Sequence, residues 1–436
     1  MRIEMPYGKT TVFGELPPEW KVGICRPVDI LPAKEPTVLI RQALNNPIAS
    51  KPFPMIVGGG RTVCIVVNDI TRSTPSHLLL KPLVEDLLTA GISIGDITIL
   101  IANGNHRPCT PDEVRQIVGQ ELMNCITVVN HEAGRDEDLV YLGDTDGGVP
   151  IHVNRHLVEA DIRILTGTIR PHQSAGYSGG RKSVLPGVAG LKSICKHHSF
   201  PIFPLEPVFG RIHGNTFHDE SLAGAKKVGI HFILNIIENS QGQIIDAVAG
   251  DLELAHLEGV RRSANLWKVP IPQRVDVAIV SPGGYPKDIN LHQAQKAIAP
   301  CELVLRPGGV IILVAQCPDG PGYISQWFEG LDSAEAVIAK FKRDGWSPKA
   351  HAKPFLLARP LSKFTVIVVT SGISPKDLQN MFMIHASSLQ NAICKTQSLI
   401  GTVSPSVLVM PYAGDVIPEL PNEKIISSDW GRGSET

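Results

Sequence analysis

Residues 62–75 read TVCIVVNDITRSTP, and this stretch decides the predicted fold. Its first part, Thr62 to Val67, is a short apolar run rich in valine and isoleucine, which is typical of a buried strand. A polar turn ending in Pro75 follows, and from Leu78 to Thr89 leucines recur at helical spacing. A strand, a turn and a helix in this order predict the repeating unit of a mainly parallel α/β sheet.

The same alternation of apolar runs and helical patterns recurs along the 436 residues. A capping box with proline at the first helical position, Thr110 to Glu113, marks one further helix start. The fold class is therefore α/β, with mainly parallel sheets. The remaining predicted strands are Ile97 to Ala102, Ile126 to Val129, Ile162 to Gly167, His231 to Ile236, Val275 to Val280, Val310 to Ala315 and Phe364 to Thr370.

One interruption divides the chain into two predicted domains. A helix over about Glu253 to Leu266 is followed by Val269-Pro270-Ile271-Pro272, and a new strand starts at Val275. We expect an N-terminal α/β domain over residues 1–270 and a C-terminal α/β domain over residues 273–436. The active site is expected in the crevice between them. The only tail is a short polar stretch, Asp429 to Thr436.

Composition excludes several classes of function. The chain is 43% hydrophobic and 19% charged, which argues against disorder, and its apolar runs are too short to span a bilayer. Its 41 basic and 42 acidic residues give a net charge of −1, so neither nucleic acid nor a membrane is an expected partner. The eight cysteines contain no Cys-x-x-Cys pair and the N-terminus resembles no export signal, which favours the cytoplasm.

Candidate chemistry follows the predicted strands, because ligands of parallel sheets bind beyond the carboxyl ends of strands. Four segments stand there: residues 68–75, residues 103–108, residues 170–183 with a glycine-rich loop, and residues 283–296. His106 and His172 lie in two of them. A single strand-end histidine is usually structural. Two of them, together with Arg72 and Lys296 in the other two strand-end segments, suggest two acid/base groups that face a small anion.

The glycine-rich loop, GYSGGRKS at residues 176–183, has two explanations other than a role in this site. It resembles the end of a nucleotide-binding P-loop, but Arg181 stands where that motif needs its last glycine. It could also be an ordinary tight turn. Gln293 and Lys296 share one helical face, which a solvated surface explains equally well. His198 alone is weak evidence for a metal, since His197 and His198 would ordinarily end a helix near the surface.

Taken together, these segments resemble the nickel-pincer lactate racemase family. The resemblance rests on the order and spacing of four stretches over about 230 residues: DITRSTP at residues 69–75, GNHR at residues 104–107, Pro171-His172 through SGGRKSVLPG at residues 178–187 with His198, and DINLHQAQK at residues 288–296.

The resemblance implies a cofactor and its binding residues. It implies nickel and a pyridinium-3-thioamide-5-thiocarboxylic acid mononucleotide, covalently attached to Lys182, with His198 as the protein ligand to nickel. Asp69, Ser178, Gly179 and Gly180 belong to the cofactor site, with Asp69 as an orienter of neighbouring side chains. Proteins that synthesise the cofactor and insert nickel are implied partners.

The resemblance also implies the reaction, a racemisation or epimerisation of a small 2-hydroxy acid. His106 and His172 match the two bases on opposite faces of the substrate, and Arg72, Gln293 and Lys296 match the groups that hold it. Direct removal of the α proton would place a carbanion beside a carboxylate. Hydride transfer through a 2-keto acid avoids this, because the planar ketone accepts hydride on either face.

One departure bears on the substrate. Lactate-specific members are expected to carry an aromatic residue such as tyrosine at position 292, where this chain has His292. An imidazole there could meet an extra hydroxyl or acidic group on a longer acid, so the class of substrate is predicted and not the compound. Two alternatives stay open: a related isomerase or dehydratase acting on another hydroxy acid, and a non-catalytic nickel-pincer sensor, which would need no pair of bases.

Overall fold

The chain folds into two units in the computed structural model, which describes residues 1–28, 30–58, 61–72, 74–347 and 352–421. Among the described residues, the N-terminal unit comprises those within 28–266 and 341–352, and the C-terminal unit comprises those within 1–27, 267–340 and 353–421. Ser73 of the predicted turn and the polar tail from Asp429 lie outside the described residues.

The first 27 residues belong to the C-terminal unit, whereas the predicted linear division places them in the first domain. They form strands β1 (Arg2–Tyr7), β2 (Thr10–Glu15) and β3 (Lys21–Ile24), of which β1 and β2 make an antiparallel hairpin. Strand β3 pairs in parallel with Ser406–Met410 at the edge of the C-terminal sheet. This pairing joins residues almost 400 positions apart, which no local pattern encodes.

The N-terminal unit alternates strands and helices, as predicted from residues 62–89. Its elements are β4 (Val63–Asn68), β5 (Ile97–Ala102), β6 (Thr127–Asn130), β7 (Leu139–Asp144), β8 (Pro150–Asn154), β9 (Ile162–Thr168), β10 (Pro171–His172), β11 (Gly176–Tyr177), β12 (Phe232–Glu238) and β13 (Ile244–Gly250), with α1 (Pro36–Asn45), α2 (Phe53–Val57), α3 (Ser76–Thr89), α4 (Pro111–Val118), α5 (Gln120–Met123), α6 (Arg155–Val158), α7 (Leu191–His197), α8 (Thr216–Val228) and α9 (Leu254–Trp267). The capping box predicted at Thr110 and Glu113 starts α4.

The main sheet of this unit has the strand order β13-β12-β9-β4-β5-β6, and only β13 runs antiparallel to its neighbour. The chain moves from β4 outward to β5 and β6, and then returns to the other side of β4 with β9. Strands β4 and β9 therefore flank a topological switch point, where ligands of such sheets bind. The segments after β4, β5 and β9 are those that carry Asp69, His106 and His172.

Burial of apolar side chains explains why these runs become strands. All five residues from Val63 to Val67 of β4 are at most 1% exposed, so the strand is covered on both faces. Leucines of α3, among them Leu79, Leu83 and Leu87, pack into the same cluster at 0% exposure. Helical spacing on one element and a continuous apolar run on the other thus produce a single core.

The C-terminal unit continues with a second α/β sheet in the order β18-β17-β16-β15-β19-β3, in which every pair is parallel. From β15 the chain adds β16, β17 and β18 on one side, and then adds β19 on the other side of β15. The boundary between β15 and β19 is therefore a second switch point. Its elements are β14 (Lys268–Pro270), β15 (Val275–Val280), α10 (Leu291–Ala294), α11 (Cys301–Val304), β16 (Leu305–Val314), α12 (Ala334–Asp344), α13 (Lys353–Leu361), β17 (Thr365–Val369), α14 (Pro375–Asn380), β18 (Ile384–Ala386), α15 (Leu389–Leu399), β19 (Ser406–Met410) and β20 (Ile417–Glu419).

Among the described residues, none of the helices combines the length and the apolar character needed to cross a bilayer.

A buried histidine makes the stability of the N-terminal unit dependent on pH. His131 is 0% exposed, and its Nε2 lies 3.0 Å from the carbonyl of Ala189 while Asn154 donates to its Nδ1. Burial lowers the pKa of His131 to about 4. Between pH 6.5 and 4 the unfolded chain therefore binds a proton that the folded chain does not, and stability falls as the pH falls.

We expect the fall in unfolding free energy from pH 7 to pH 5 to be smaller by about 2 kcal/mol in His131→Asn than in the original chain. Urea unfolding at the two pH values measures it. His77→Asn, a change at an exposed histidine, serves as the control and should leave the difference as it is. Equal pH dependence in all three proteins would contradict the assignment.

Candidate active site

The carboxyl ends of β4 and β5 bring Asp69 and His106 together. Asp69 is 3% exposed, and its Oδ2 lies 2.7 Å from Nδ1 of His106, whose side chain is 49% exposed. The hydroxyl of Thr71 donates to both oxygens of Asp69, at 2.9 and 3.0 Å. A buried carboxylate that accepts from Nδ1–H leaves the lone pair of His106 on Nε2. This arrangement suits a general base.

Two local features place this pair. Strands β4 and β5 pair in register, with Asn68 opposite Ala102, so the residues that follow them emerge side by side. Gly104 then turns with φ of +54°, a conformation that disfavours other residues. Its N–H donates to the carbonyl of Gly187 at 2.8 Å, and the N–H of His106 donates to that of Asn103 at 2.8 Å. The loop that presents His106 is thereby held by backbone hydrogen bonds.

We expect Asp69→Asn to slow proton transfer by His106 by roughly 10- to 100-fold, because the imidazole loses the charge that fixes its orientation and tautomer. The half-exposed ring can still rotate into place, which keeps the loss below that of removing His106. The rate of the racemisation that the family resemblance implies measures the effect. Asp112→Asn, a change at a carboxylate that is 81% exposed, is the matched control. Unaltered turnover in Asp69→Asn would remove the orienting role.

The carboxyl end of β9 leads into a small hairpin that carries His172. Pro171–His172 pairs antiparallel with Gly176–Tyr177, and Nδ1 of His172 accepts from the N–H groups of Ser174 and Ala175, both at 3.2 Å. Its other nitrogen, Nε2, lies 2.9 Å from Nζ of Lys182. The second predicted base and the predicted attachment lysine are therefore in direct contact.

The glycine-rich loop owes its composition to tight packing. Gly179 and Gly180 have φ of +82° and +50°. A Cβ at Gly179 would stand 2.8 Å from Ile169, and one at Gly180 would stand 3.0 Å from His256, so neither position has room for a side chain. The N–H of Gly180 donates to Asn235 at 2.9 Å, and the hydroxyl of Ser178 donates to the carbonyl of Thr168 at 2.7 Å. Ser178, Gly179 and Gly180 thus anchor the loop to the sheet.

Arg181, which departs from the P-loop pattern, fastens the same loop from inside. It is 0% exposed, and its guanidinium donates to the carbonyls of Ala175 and Tyr177 at 2.9 Å and of Gly179 at 3.1 Å. Its Nη1 lies 2.7 Å from Nε2 of His256. Burial lowers the pKa of Arg181 to about 9. Most arginines are exposed, and no pattern in the sequence marks this one as buried.

His198 lies at the end of α7, in an aromatic setting. Its Nδ1 lies 3.1 Å from the carbonyl of Ile194 and 3.4 Å from Nδ1 of His197. Because a carbonyl only accepts, Nδ1 carries the proton and the lone pair of His198 is on Nε2, as a metal ligand requires. Its ring packs edge-on to Phe217 with centroids 4.8 Å apart, and Trp346 lies 5.8 Å away.

The expectation that His197 and His198 end a helix near the surface is wrong for His197. That ring is 0% exposed, and its centroid lies 3.9 Å from that of Phe217. Its Nε2 lies 2.9 Å from the carbonyl of Phe217. Burial lowers the pKa of His197 well below its ordinary value, so this histidine is neutral. Helix α8, which carries Phe217, covers the end of α7 and takes it out of solvent.

The remaining predicted residues belong to the C-terminal unit, after β15. Asn290 caps α10, and Lys296 donates to Oε1 of Gln293, so these two side chains do share a face. His292 is half-buried, with Nε2 3.3 Å from the hydroxyl of Tyr323 and ring centroids 4.7 Å apart. Tyr323 lies 31 positions after His292 and outside the motif, so no pattern in the sequence points to it. In the N-terminal unit, the side chain of Arg72 is exposed after β4.

Within the described part of the chain, no three His, Cys, Asp or Glu side chains converge in a way that could hold a metal ion.

Comparison with known proteins agrees with this arrangement of motifs. Residues 7–205 match the family model described as the lactate racemase N-terminal domain, and residues 271–417 match that of the lactate racemase C-terminal domain. A lactate racemase of Thermoanaerobacterium thermosaccharolyticum is 33% identical over 426 residues, covering 95% of this chain and 98% of the relative. One of Lactiplantibacillus plantarum is 31% identical over 428 residues, covering 95% and 99%.

Solved structures give the same result. The structure of the lactate racemase apoprotein from Thermoanaerobacterium thermosaccharolyticum superimposes with a TM-score of 0.89 at 32% identity, covering 96% of this chain and all of that one. A protein from Thermotoga maritima, at 20% identity and a TM-score of 0.63, shares the fold. With both family models matched and relatives above 30% identity over nearly the whole length, this chain belongs to the lactate racemase family and is an isomerase of the racemase class.

Proposed function

We propose that this protein is a nickel-pincer-dependent racemase or epimerase of 2-hydroxy acids, acting through a 2-keto acid. The observation that carries the proposal is the contact between Lys182 and His172, 2.9 Å apart, at the carboxyl end of β9. A group tethered to Lys182 would lie beside one of the two proposed bases. Membership of the lactate racemase family supplies the reaction class, and lactate is the first substrate to test.

The residues of the chain fit the cofactor. Lys182 supplies an amine on a loop that Arg181 and two glycines hold rigid, and His198 presents Nε2 to a metal. We propose that a nickel ion held by His198 would take further ligands from the tethered nucleotide. The group would supply hydride chemistry at the substrate carbon. We propose that Ser178, Gly179 and Gly180 serve the cofactor by positioning Lys182.

The protein residues move protons and hold the substrate. His106, oriented by Asp69, takes the hydroxyl proton of one enantiomer, and His172 takes that of the other, because the hydroxyl groups of two enantiomers point in opposite directions. We propose that Arg72, Gln293 and Lys296 bind the carboxylate and the carbonyl oxygen. A planar guanidinium can do so with two parallel hydrogen bonds, whereas an ammonium acts as a point charge.

The substrate is proposed at the level of its class. His292 and Tyr323 offer an imidazole and a phenol within 3.3 Å of each other, beside Gln293. Such a pair can bind a hydroxyl or a second carboxylate beyond the reacting carbon, which favours acids longer than lactate. A related isomerase or dehydratase on another hydroxy acid is the second candidate. Proteins that make the cofactor and insert nickel are proposed partners.

The deciding experiment uses protein produced together with the pincer-synthesis enzymes and loaded with nickel. Single enantiomers of 2-hydroxy acids with three to six carbons, with and without a polar group at the third carbon, are incubated and analysed by chiral chromatography. Interconversion of at least one pair supports the proposal. Loaded protein that converts no acid in the panel would point to the sensor, which needs a nickel ligand and no pair of bases.

A further inference from the structure

Asp288 begins the motif at residues 288–296 and is fully buried in the C-terminal unit. Its Oδ2 accepts two backbone hydrogen bonds, from the N–H of Gly8 at 2.7 Å and from the N–H of Gln316 at 3.0 Å. Its Oδ1 has no hydrogen-bond partner among the described residues. One oxygen of this buried acid therefore joins the motif to segments that are 280 and 28 residues away in the chain.

The first of these segments is the turn between β1 and β2. Gly8 has a φ of +56°, and a Cβ there would collide with the side chain of Gln316. Its carbonyl accepts from the N–H of Tyr285 at 2.7 Å, and the carbonyl of Pro6 accepts from the hydroxyl of Ser281 at 2.8 Å. Both donors follow β15, so the hairpin turn packs at the second switch point, where Asp288 holds it.

The second segment follows β16. Three backbone hydrogen bonds of 2.9 to 3.1 Å hold residues 288–291 along residues 317–320. Cys317 has a φ of +53°, which is unfavourable for a residue that carries a Cβ. Its N–H donates to the carbonyl of Asp288 at 2.9 Å, beside the bond from Gln316 to Oδ2. Asp288 thus stabilises a strained turn, and such strain persists only where the surrounding structure fixes it.

The same stretch leads directly into the two residues proposed to hold the substrate. The side chain of Asn290 accepts from the N–H of Gln293 at 3.0 Å and so starts α10, and Lys296 follows three residues later. The position of both side chains therefore depends on where residues 288–291 are fixed. A displacement of about 1 Å in a group that positions a substrate can cost about 100-fold in rate.

We infer that Asp288 is a positioning residue for Gln293 and Lys296, and that the N-terminal hairpin supports the substrate-binding segment through Gly8. The inference rests on the proposed function for the roles of Gln293 and Lys296. The conformation that it assigns to the segment belongs to the C-terminal unit itself, so it can be measured in the chain without cofactor and apart from activity.

Hydrogen exchange of the cofactor-free chain, followed by peptide mass spectrometry, tests the inference. Asp288→Asn keeps an acceptor oxygen and loses the carboxylate, whereas Asp288→Leu keeps only an approximate volume. We expect peptides that cover residues 289–299 and 316–321 to exchange at least about tenfold faster in Asp288→Leu, and less so in Asp288→Asn. Peptides of β4 and β5, in the N-terminal unit, should exchange as before and report that each variant is folded.

A variant of the hairpin tests the other side of the contact. Gly8→Ala adds a methyl group at a positive φ and against Gln316, so the turn has to move, and the same two peptides should exchange at least about threefold faster. Gly401→Ala is the matched control, because a Cβ at Gly401 meets open space. Unchanged exchange of both peptides in Asp288→Asn and in Gly8→Ala would overturn the inference.

Kinetics of cofactor-loaded protein separate positioning from stability. We expect Asp288→Asn to raise the KM for the acid by about tenfold with the same amount of cofactor per chain, since Lys182 and His198 belong to the N-terminal unit. An unchanged KM despite faster exchange would also overturn the inference. If exchange responds as expected and the original chain racemises nothing, the proposed function fails and the role of Asp288 in fixing the segment stands. If exchange is unchanged and the chain racemises, only the inference fails.

Discussion

Lys182→Ala is expected to carry no cofactor and to show no racemisation above background, even when produced together with the pincer-synthesis enzymes and nickel. The reason is that the cofactor supplies the hydride chemistry, and the protein without it contributes position and charge alone. The intact mass of the original chain should exceed the mass calculated from its sequence. After digestion, the added mass should be found on the peptide that contains Lys182, within the loop fastened by Arg181.

Lys192→Ala is the matched control for this prediction. Lys192 lies on α7, ten residues further along the chain, and its side chain is 65% exposed beside Asp136. Its replacement should preserve both the added mass and the activity. If Lys182→Ala still carries the full added mass, the attachment site is elsewhere, and the proposed role of the glycine-rich loop is wrong.

Replacement of either proposed base is expected to lower racemisation by about a hundred- to ten-thousand-fold, the usual contribution of a positioned general base. Racemisation requires proton transfer for both enantiomers, so the loss of either His106 or His172 interrupts it. The rates of His106→Ala and His172→Ala are compared per molecule carrying cofactor, because His172 lies 2.9 Å from Lys182, the proposed attachment residue.

A single turnover with each pure enantiomer distinguishes the two histidines. After rapid quenching, the 2-keto acid formed per loaded enzyme is measured. His106→Ala should still oxidise one enantiomer, and His172→Ala should oxidise the other, because each remaining base faces one direction of the hydroxyl group. His77→Ala, a change at an exposed histidine of α3, should oxidise both. Nearly unchanged racemisation in either variant would exclude a mechanism with two bases. If both variants oxidise the same enantiomer, the two histidines bind the substrate and do not act as its two bases.

Local sequence determines the strands and helices that carry the site. The continuous apolar runs at Thr62 to Val67 and Ile97 to Ala102 become the central strands β4 and β5 because such runs bury both faces. The capping box at Thr110 starts α4 because its two reciprocal hydrogen bonds involve residues only three positions apart. Alternation of these elements was enough to predict two parallel α/β sheets.

The partners of the site residues are decided by tertiary structure. Asp69 meets His106 only because β4 and β5 pair in one register, and His172 meets Lys182 only because the hairpin of β10 and β11 folds back on the loop. The burial of Arg181 and His197 depends on His256 of α9 and Phe217 of α8, which stand 75 and 20 residues away.

Sequence by itself thus determined the fold class, the family and the residue types at each strand end, since these depend on local periodicity and on motif order. It did not determine which ring nitrogen carries a proton or which cation is buried. Those properties depend on hydrogen bonds and on desolvation by groups that are distant in the chain. The register of the sheets and the packing of helices on them bring these groups together, as with Arg181 and His256, which are 75 residues apart and 2.7 Å from each other.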